Sequence, residues 1–92
     1  MIYEYKPSFD RNFTALSVRD QQRANQATKA LVDFFATGEK AAGLGLKKLH
    51  HPFWEVRAGL AIRVLFALEG DVASFLLVGD HDDIRRFLKR AR

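Results

Sequence analysis

The chain has 92 residues, with 15 Lys and Arg against 11 Asp and Glu, a formal net charge of +4 and a pI near 9.8. Hydrophobic residues make up 48% of it and aromatic residues 12%, which is too apolar for a disordered tail and too short for two cores, so one domain over residues 1–92 is expected. It contains no cysteine, which excludes disulfides, thiolate nucleophiles and thiolate zinc sites.

The N-terminus "MIYEYKPSFD" lacks the basic start and apolar stretch of a signal peptide. No apolar run approaches the ~20 residues of a membrane span, so a cytoplasmic protein without membrane attachment is expected. "IYEY" (2–5) alternates, carries aromatics and stops at Pro7, which predicts a first strand. Ser8 is placed to cap a helix in which Phe9, Phe13 and Leu16 recur at helical spacing. Ser17 and Asp20 have the spacing of a capping box and open a longer helix to about Phe35. Its apolar stripe is Ala24, Ala27, Leu31, Phe34 and Phe35, and Gly38 is placed to end it.

Residues 38–52, "GEKAAGLGLKKLHHP", show no sustained period and read as a basic loop. Three strand-like runs follow, "FWEVRA" (53–58), "AIRVLFAL" (61–68) and "VASFLLVG" (72–79), with gaps so short that they demand antiparallel hairpins. "DDIRRFLKRA" returns to helical spacing, with Ile84, Phe87 and Leu88 on one face. The expected fold is α+β in the order β-α-α-β-β-β-α, an antiparallel sheet with the two N-terminal helices on one face.

Side-chain parity fixes a register, because a slip of one residue moves every side chain to the other sheet face. Gly70 and Asp71 suit a two-residue turn with Gly first, which pairs Glu69 with Val72, Phe66 with Phe75, Val64 with Leu77 and Arg63 with Val78. A three-residue loop of Gly59, Leu60 and Ala61 pairs Val56 with Val64, Trp54 with Phe66 and Arg57 with Arg63. Both arginines then lie on the face away from the aromatic core. Lys47 and Lys48 enter beside them, and His81 emerges just after the last strand. Several cations and one titratable imidazole on one face would suit a phosphate with an acid or base beside it.

Other readings of these residues stay open at this level. His81 can equally be a helix-start residue beside the cap Asp80, and Asp83 fits a capping role better than a catalytic one. The two arginines can be a solvated outer sheet face. His50 and His51 are adjacent and lack ligand spacing, so no metal site is expected there. From Lys47 onward nine Lys and Arg stand against six Asp and Glu, which favours an anionic partner.

The element order, with "KKLHHPFWEVRAGLAIRVLF" followed by "FLLVGDHDDIRRFLK", resembles the RelE/ParE superfamily of bacterial type II toxins. The similarity covers nearly the whole chain. It rests on the "KKL" before the second expected strand, the W-E-V-R and "RVLF" strands, and the G-x-H turn into the final helix. The resemblance implies a toxin neutralised by a cognate antitoxin in a hetero-oligomeric complex. In the RelE branch it implies an endoribonuclease that cuts mRNA on the ribosome without a metal or other cofactor.

Carried over by position, Arg63 matches the arginine that holds the scissile phosphate, Arg57 lies near a basic position on the preceding strand, and His81 falls where relatives have arginine or histidine. Phe87 falls near an aromatic, often tyrosine, of the last helix. His81, Arg63 and Arg57 are therefore the expected catalytic residues, and Lys47, Lys48, Arg85, Arg86 and Phe87 the expected RNA contacts. Two positions depart from RelE itself: Phe87 lacks a tyrosine hydroxyl, and Glu55 stands where a lysine is common. Members with histidine in the turn are the closer model. The alternative is a ParE-like toxin that inhibits DNA gyrase without enzymatic activity.

Metal-free cleavage of RNA needs a base for the 2′-hydroxyl, positive charge for the phosphorane and an acid for the departing 5′-oxygen. Histidine, with an ordinary pKa near ~6.5, can serve either proton transfer. Arginine offers a fixed fork of donors to phosphate oxygens.

Overall fold

The computed structural model describes residues 1–91. Its first strand, β1 (Ile2–Tyr5), is followed by α1 (Pro7–Ala15), which has proline in its first turn, where the missing N–H has no intrahelical partner to lose. Lys6 is the N-cap and contributes no side-chain bond. Ser8 therefore does not cap this helix. It lies inside α1, and its hydroxyl donates to the Leu76 carbonyl at 2.5 Å. The longer helix, α2 (Val18–Thr37), starts behind Ser17, whose hydroxyl accepts the Asp20 amide at 3.1 Å. Asp20 turns its own carboxylate to Arg23 instead of completing the expected box. Gly38 ends α2 with φ of 75°, a conformation that glycine adopts without a Cβ penalty.

The expected loop 38–52 contains a short strand, β2 (Leu46–Lys48), too brief to leave a period in the sequence. Then come β3 (Phe53–Ala58), β4 (Ile62–Glu69), β5 (Val72–Gly79) and α3 (His81–Arg90). The sheet order is β1-β5-β4-β3-β2, with β1 parallel to β5 and every other pair antiparallel. The α+β class is as expected. The fifth strand and the parallel edge pair extend it.

The β3–β4 register agrees with the sequence reading: Trp54 faces Phe66, Val56 faces Val64, and Arg57 faces Arg63. The β4–β5 register agrees only near its turn, where Gly70 takes φ of 60° and Glu69 meets Val72. Phe66 pairs with Phe75 but Leu65 pairs with Leu77, so Leu76 is an extra residue, a β-bulge. The bulge reverses parity beyond it. Val64 meets Val78 rather than Leu77, and Arg63 meets Gly79 rather than Val78. A bulge leaves a backbone group without its ladder partner, and the Ser8 hydroxyl takes the Leu76 carbonyl.

One sheet face carries Val56, Val64, Phe66, Ala73, Phe75 and Val78, packed against Phe9 of α1 and Ala24, Ala27 and Leu31 of α2. Phe66 and Phe75 are fully buried with ring centroids 5.8 Å apart; Tyr3 stacks on Phe75, Phe9 lies tilted against it, and Phe35 meets Phe66 edge to face. Truncating either central Phe to Ala would destabilise the domain by about 3–5 kcal/mol. The opposite face is covered in part by α3, whose Ile84 is buried and whose Phe87 meets Phe53 edge to face at 6.4 Å. Toward β2 that second face is open at Lys47 and Arg57, which are exposed, while Glu55 beside them is buried.

Candidate functional site

Alternation along β3 and β4 puts Glu55, Arg57, Arg63 and Leu65 on the second face, because their neighbours Trp54, Val56 and Val64 turn to the core. On β2 the partner of Glu55 is Lys47. Glu55 is only 8% exposed, and its Oε2 lies 2.8 Å from Nε of Arg63, the diagonal neighbour on β4. A carboxylate so deep in a sheet needs a cation, and Arg63 supplies it. Nε is the atom engaged, so the two terminal nitrogens of Arg63 form the other edge of the guanidinium.

Across the next ladder Arg63 faces Gly79, the last residue of β5. A Cβ on Gly79 would come within 2.5 Å of Asp83 Oδ2, so glycine lets the first turn of α3 sit directly on the strand end. Asp80 and Asp83 form a reciprocal capping box at 2.9 Å each way, and Asp83 also pairs with Arg86. The Asp83 amide, foremost among its partners, holds the Asp80 carboxyl below the ordinary Asp value. The capping role expected of both aspartates is what the geometry shows. His81 is the first residue of α3, exposed, two positions beyond the partner of Arg63.

Other residues expected to gather here do not. Arg57 is the ladder partner of Arg63, yet its side chain runs over Gly45, whose Cβ position is 2.8 Å from Arg57 Cβ and 3.6 Å from its Nε. It lines a 440 Å³ cleft together with Arg23, Gln26, Ala27 and Leu44, away from the Glu55 pair. The two like charges thus part instead of converging, which relieves their repulsion. Lys48 faces Trp54 and puts its Nζ over the indole at 5.8 Å, on the sheet face opposite Lys47. The expected lysine pair is split because the segment is a strand and not a loop.

Arg85 and Arg86 are exposed on α3, with Arg86 already engaged by Asp83. Phe87 is half-buried and helps line a 640 Å³ groove with Phe53, Ala67, Val72 and Leu76. Its ring is a packing element of the α3 interface. His50 lies edge-on to Phe53, and among the described residues no group of three or more His, Asp and Glu is arranged to hold a metal ion. Among the described residues no helix is long and apolar enough to cross a membrane.

Sequence reasoning passed over Glu55 as a participant. The signal was there, since Glu55 shares the parity of Arg57 and sits diagonal to Arg63 in the expected register.

No protein-family model matches the sequence, and no curated protein matches it. Solved structures do match. The E. coli YafQ toxin in the DinJ–YafQ complex superposes with a TM-score of 0.72 at 15% identity, covering 89% of this chain and 94% of that one. The RelB–RelE antitoxin–toxin complex from Methanococcus jannaschii gives 0.66 at 14% identity, with 91% and 96% covered. A YoeB/ParE toxin from Agrobacterium tumefaciens gives 0.64 at 17% identity, with 88% and 99% covered. The fold of this chain is that of the RelE/ParE toxins, as its motifs led one to expect.

Proposed function

We propose that this chain is the toxin of a type II toxin–antitoxin pair and that it cleaves mRNA on the ribosome. The observation that carries the reading is the placement of Arg63. It stands on the central strand, on the open face, between the Glu55 and Lys47 strands and the turn that bears His81.

In this reading the 2′-hydroxyl attacks the adjacent phosphate, and the terminal nitrogens of Arg63 stabilise the charge that develops on the phosphorane oxygens. His81 carries out one of the two proton transfers. Lys47 holds the RNA backbone beside Arg63, Arg57 contacts it beyond the site from the cleft it lines with Arg23, and exposed Arg85 extends the basic surface along α3. No step assigned to these side chains calls for a metal. Because Phe87 has no hydroxyl, proton transfer cannot pass through the final helix at that position.

The partner class is supported by the net charge of +4, which suits an acidic segment, and by the groove beside Phe53 and Phe87, whose apolar side chains can take its anchors between Glu4, Lys6 and Glu69. Two of the similar structures are toxins bound to antitoxins, and the same kind of partner is proposed here.

The test is induced expression followed by mapping of mRNA 5′ ends, with active ribosomes and with ribosomes blocked. New 5′ ends that require translation support the reading. Growth arrest with intact mRNA and inhibited DNA supercoiling would replace it by the gyrase-directed alternative.

A further inference from the structure

β1 pairs with β5 only as far as Phe75, so from Leu76 onward the outer edge of the sheet is left to α1. Ser8 fastens α1 there through the Leu76 carbonyl, and Ile84 and Phe87 seat α3 on the sheet. Between the two helices lies a 450 Å³ cleft, lined by Ser8, Arg11 and Asn12 of α1, Leu77 of β5, and Phe87 and Arg90 of α3. Its volume falls in the range of small-ligand pockets, about 300–1,000 Å³. Arg63, Lys47 and His81 take no part in it.

Three features of this cleft point to a ligand. Arg11 and Arg90 are exposed, no carboxylate lines the cleft, and neither arginine forms an ion pair among the described residues. Two guanidiniums brought to one cleft by different helices repel one another, and a phosphate between them removes that repulsion while accepting hydrogen bonds from both forks. Asn12 is half-buried, and its Oδ1 is buried with no hydrogen-bond partner among the described residues. A buried acceptor left unpaired destabilises a fold, so an apolar side chain would serve a purely structural position better. Rotation about the Asn12 Cβ–Cγ bond turns either end of the amide to a ligand. The floor, Leu77 and the half-buried ring of Phe87, is a surface against which a planar base packs. An acidic peptide would need several residues of flexible chain, ordered together, to supply an anion, a partner for the amide and apolar cover. One nucleotide carries all three in a single unit.

We infer that the cleft between α1 and α3 is a ribonucleotide-binding site, separate from the face that carries Arg63. Arg11 and Arg90 hold the phosphate, Asn12 pairs with the edge of the base, and Leu77 and Phe87 support its flat face. The nucleotide is either free in solution or one unit of an RNA strand, since both present the same groups. The site stands apart from the ribonuclease reading and does not need it to hold.

The experiment titrates the full-length protein with adenosine 5′-monophosphate, inorganic phosphate and a four-nucleotide RNA while its backbone amides are followed by NMR. The monophosphate is expected to shift the amides of residues 8–12 and 87–91 saturably, and inorganic phosphate to bind there about tenfold more weakly or less, because it lacks the base. Arg11→Ala and Arg90→Ala should each weaken the monophosphate by about tenfold or more, the effect of one hydrogen bond to a charged group. Lys89→Ala removes the same charge from the neighbouring position of α3, outside the cleft, and should leave the affinity unchanged. Asn12→Leu should weaken the nucleotide about two- to tenfold without lowering the midpoint of urea denaturation, because it removes an unpaired buried acceptor. Tighter binding of the four-nucleotide RNA, lost in Arg11→Ala, identifies the source as an RNA strand; equal affinity identifies a free nucleotide. The inference is overturned if neither nucleotide probe shifts these amides, if inorganic phosphate binds as tightly as the monophosphate, or if Lys89→Ala weakens binding as much as the two arginine variants. It is overturned equally if Asn12→Leu lowers stability and leaves nucleotide affinity intact, or if a short acidic peptide shifts these amides and the nucleotides do not. Arg63→Ala should bind the monophosphate as the wild type does, so loss of mRNA cleavage and loss of this site are read separately.

Discussion

Arg57 and Arg63 face one another across the β3–β4 ladder, yet their guanidiniums part, Arg63 to Glu55 at 2.8 Å and Arg57 over Gly45 into the cleft shared with Arg23. Paired in register, they have different surroundings, and on the ribonuclease reading proposed above they should fail differently when removed. Arg57→Ala is expected to weaken binding of single-stranded RNA and to lower the slope of log affinity against log salt by about 0.7, the contribution of one phosphate contact. Its cleavage rate at saturating protein should change only a few-fold. Arg63→Ala should lose about 10²–10³-fold in that same rate, because a donor aimed at developing charge acts chiefly in the transition state. Single-turnover kinetics beside a salt titration of binding separates the two.

Arg63→Ala has a second consequence, for stability. It leaves the Glu55 carboxylate at 8% exposure without its cation. An unpaired buried acceptor of this kind lowers stability by about 1–3 kcal/mol. Adding Glu55→Gln should restore part of that loss, since a neutral amide is easier to bury than a charge. Urea denaturation of the single and double variants checks the coupling. Equal stability of wild type and Arg63→Ala would show that the pair is open to water in solution.

Gly79→Ala tests how closely α3 sits on the sheet. The added Cβ would lie 2.5 Å from Asp83 Oδ2 and 2.9 Å from Asp83 Cβ, so Asp83 must move and the capping box opens. The expected result is a loss of about 1–3 kcal/mol, in the range of strained or uncapped sites, with a fall in cleavage because His81 rides on the same turn. Gly79 does not take a positive φ, so its loss is steric; Gly70→Ala, at φ of 60° where a Cβ would meet nothing within 4 Å, shows by contrast the cost of backbone strain alone, away from α3.

The capping box also sets a pH dependence. The Asp80 carboxyl is held below the ordinary Asp value, chiefly by the Asp83 amide. A carboxyl whose folded pKa lies below its unfolded one contributes stability that is fully present above the unfolded value, about 3.9, and is lost as pH falls through the lower folded value. The first turn of α3 should therefore hold through the upper acid range and fray only below it. Asp80→Ala should speed amide exchange in α3 several-fold at neutral pH and flatten this acid transition. Hydrogen exchange of the α3 amides at several pH values reads both effects.

Most of the architecture was legible because its determinants are local. Gly70 at the hairpin turn, the Ser17 and Asp80 caps, and the alternation of Trp54, Val56, Val64 and Phe66 each act within a few residues and agree with one another. What escaped reading depends on contacts distant in sequence. The bulge at Leu76 is stabilised by the Ser8 hydroxyl, 68 residues away, and no pattern in "SFLLVG" announces it. β2 has three residues, fewer than any period needs. The site was half legible for the same reason. Parity placed Arg57 and Arg63 on one face, but the direction of each guanidinium is decided by Glu55 in one case and Gly45 in the other.

Lys47 and Lys48 give the sharpest separation of neighbours. Adjacent residues of a strand point to opposite faces, so Lys47 shares a face with Glu55 and Arg63 while Lys48 lies over Trp54 on the other side. If RNA lies on the open face, Lys47→Ala should weaken its binding and lower the salt slope by about 0.7, as expected for one lost phosphate contact. Lys48→Ala should leave cleavage and salt slope unchanged and instead remove a cation–π contact of about 0.5–1 kcal/mol, visible as altered Trp54 fluorescence. Charge alone predicts equal effects, since each variant removes one positive side chain from the same strand. Equal losses of RNA affinity would mean that RNA wraps the β2 edge and touches both faces, and the open face would no longer be the sole track. A loss confined to Lys47 would fix the substrate on the face where Glu55 and Arg63 meet.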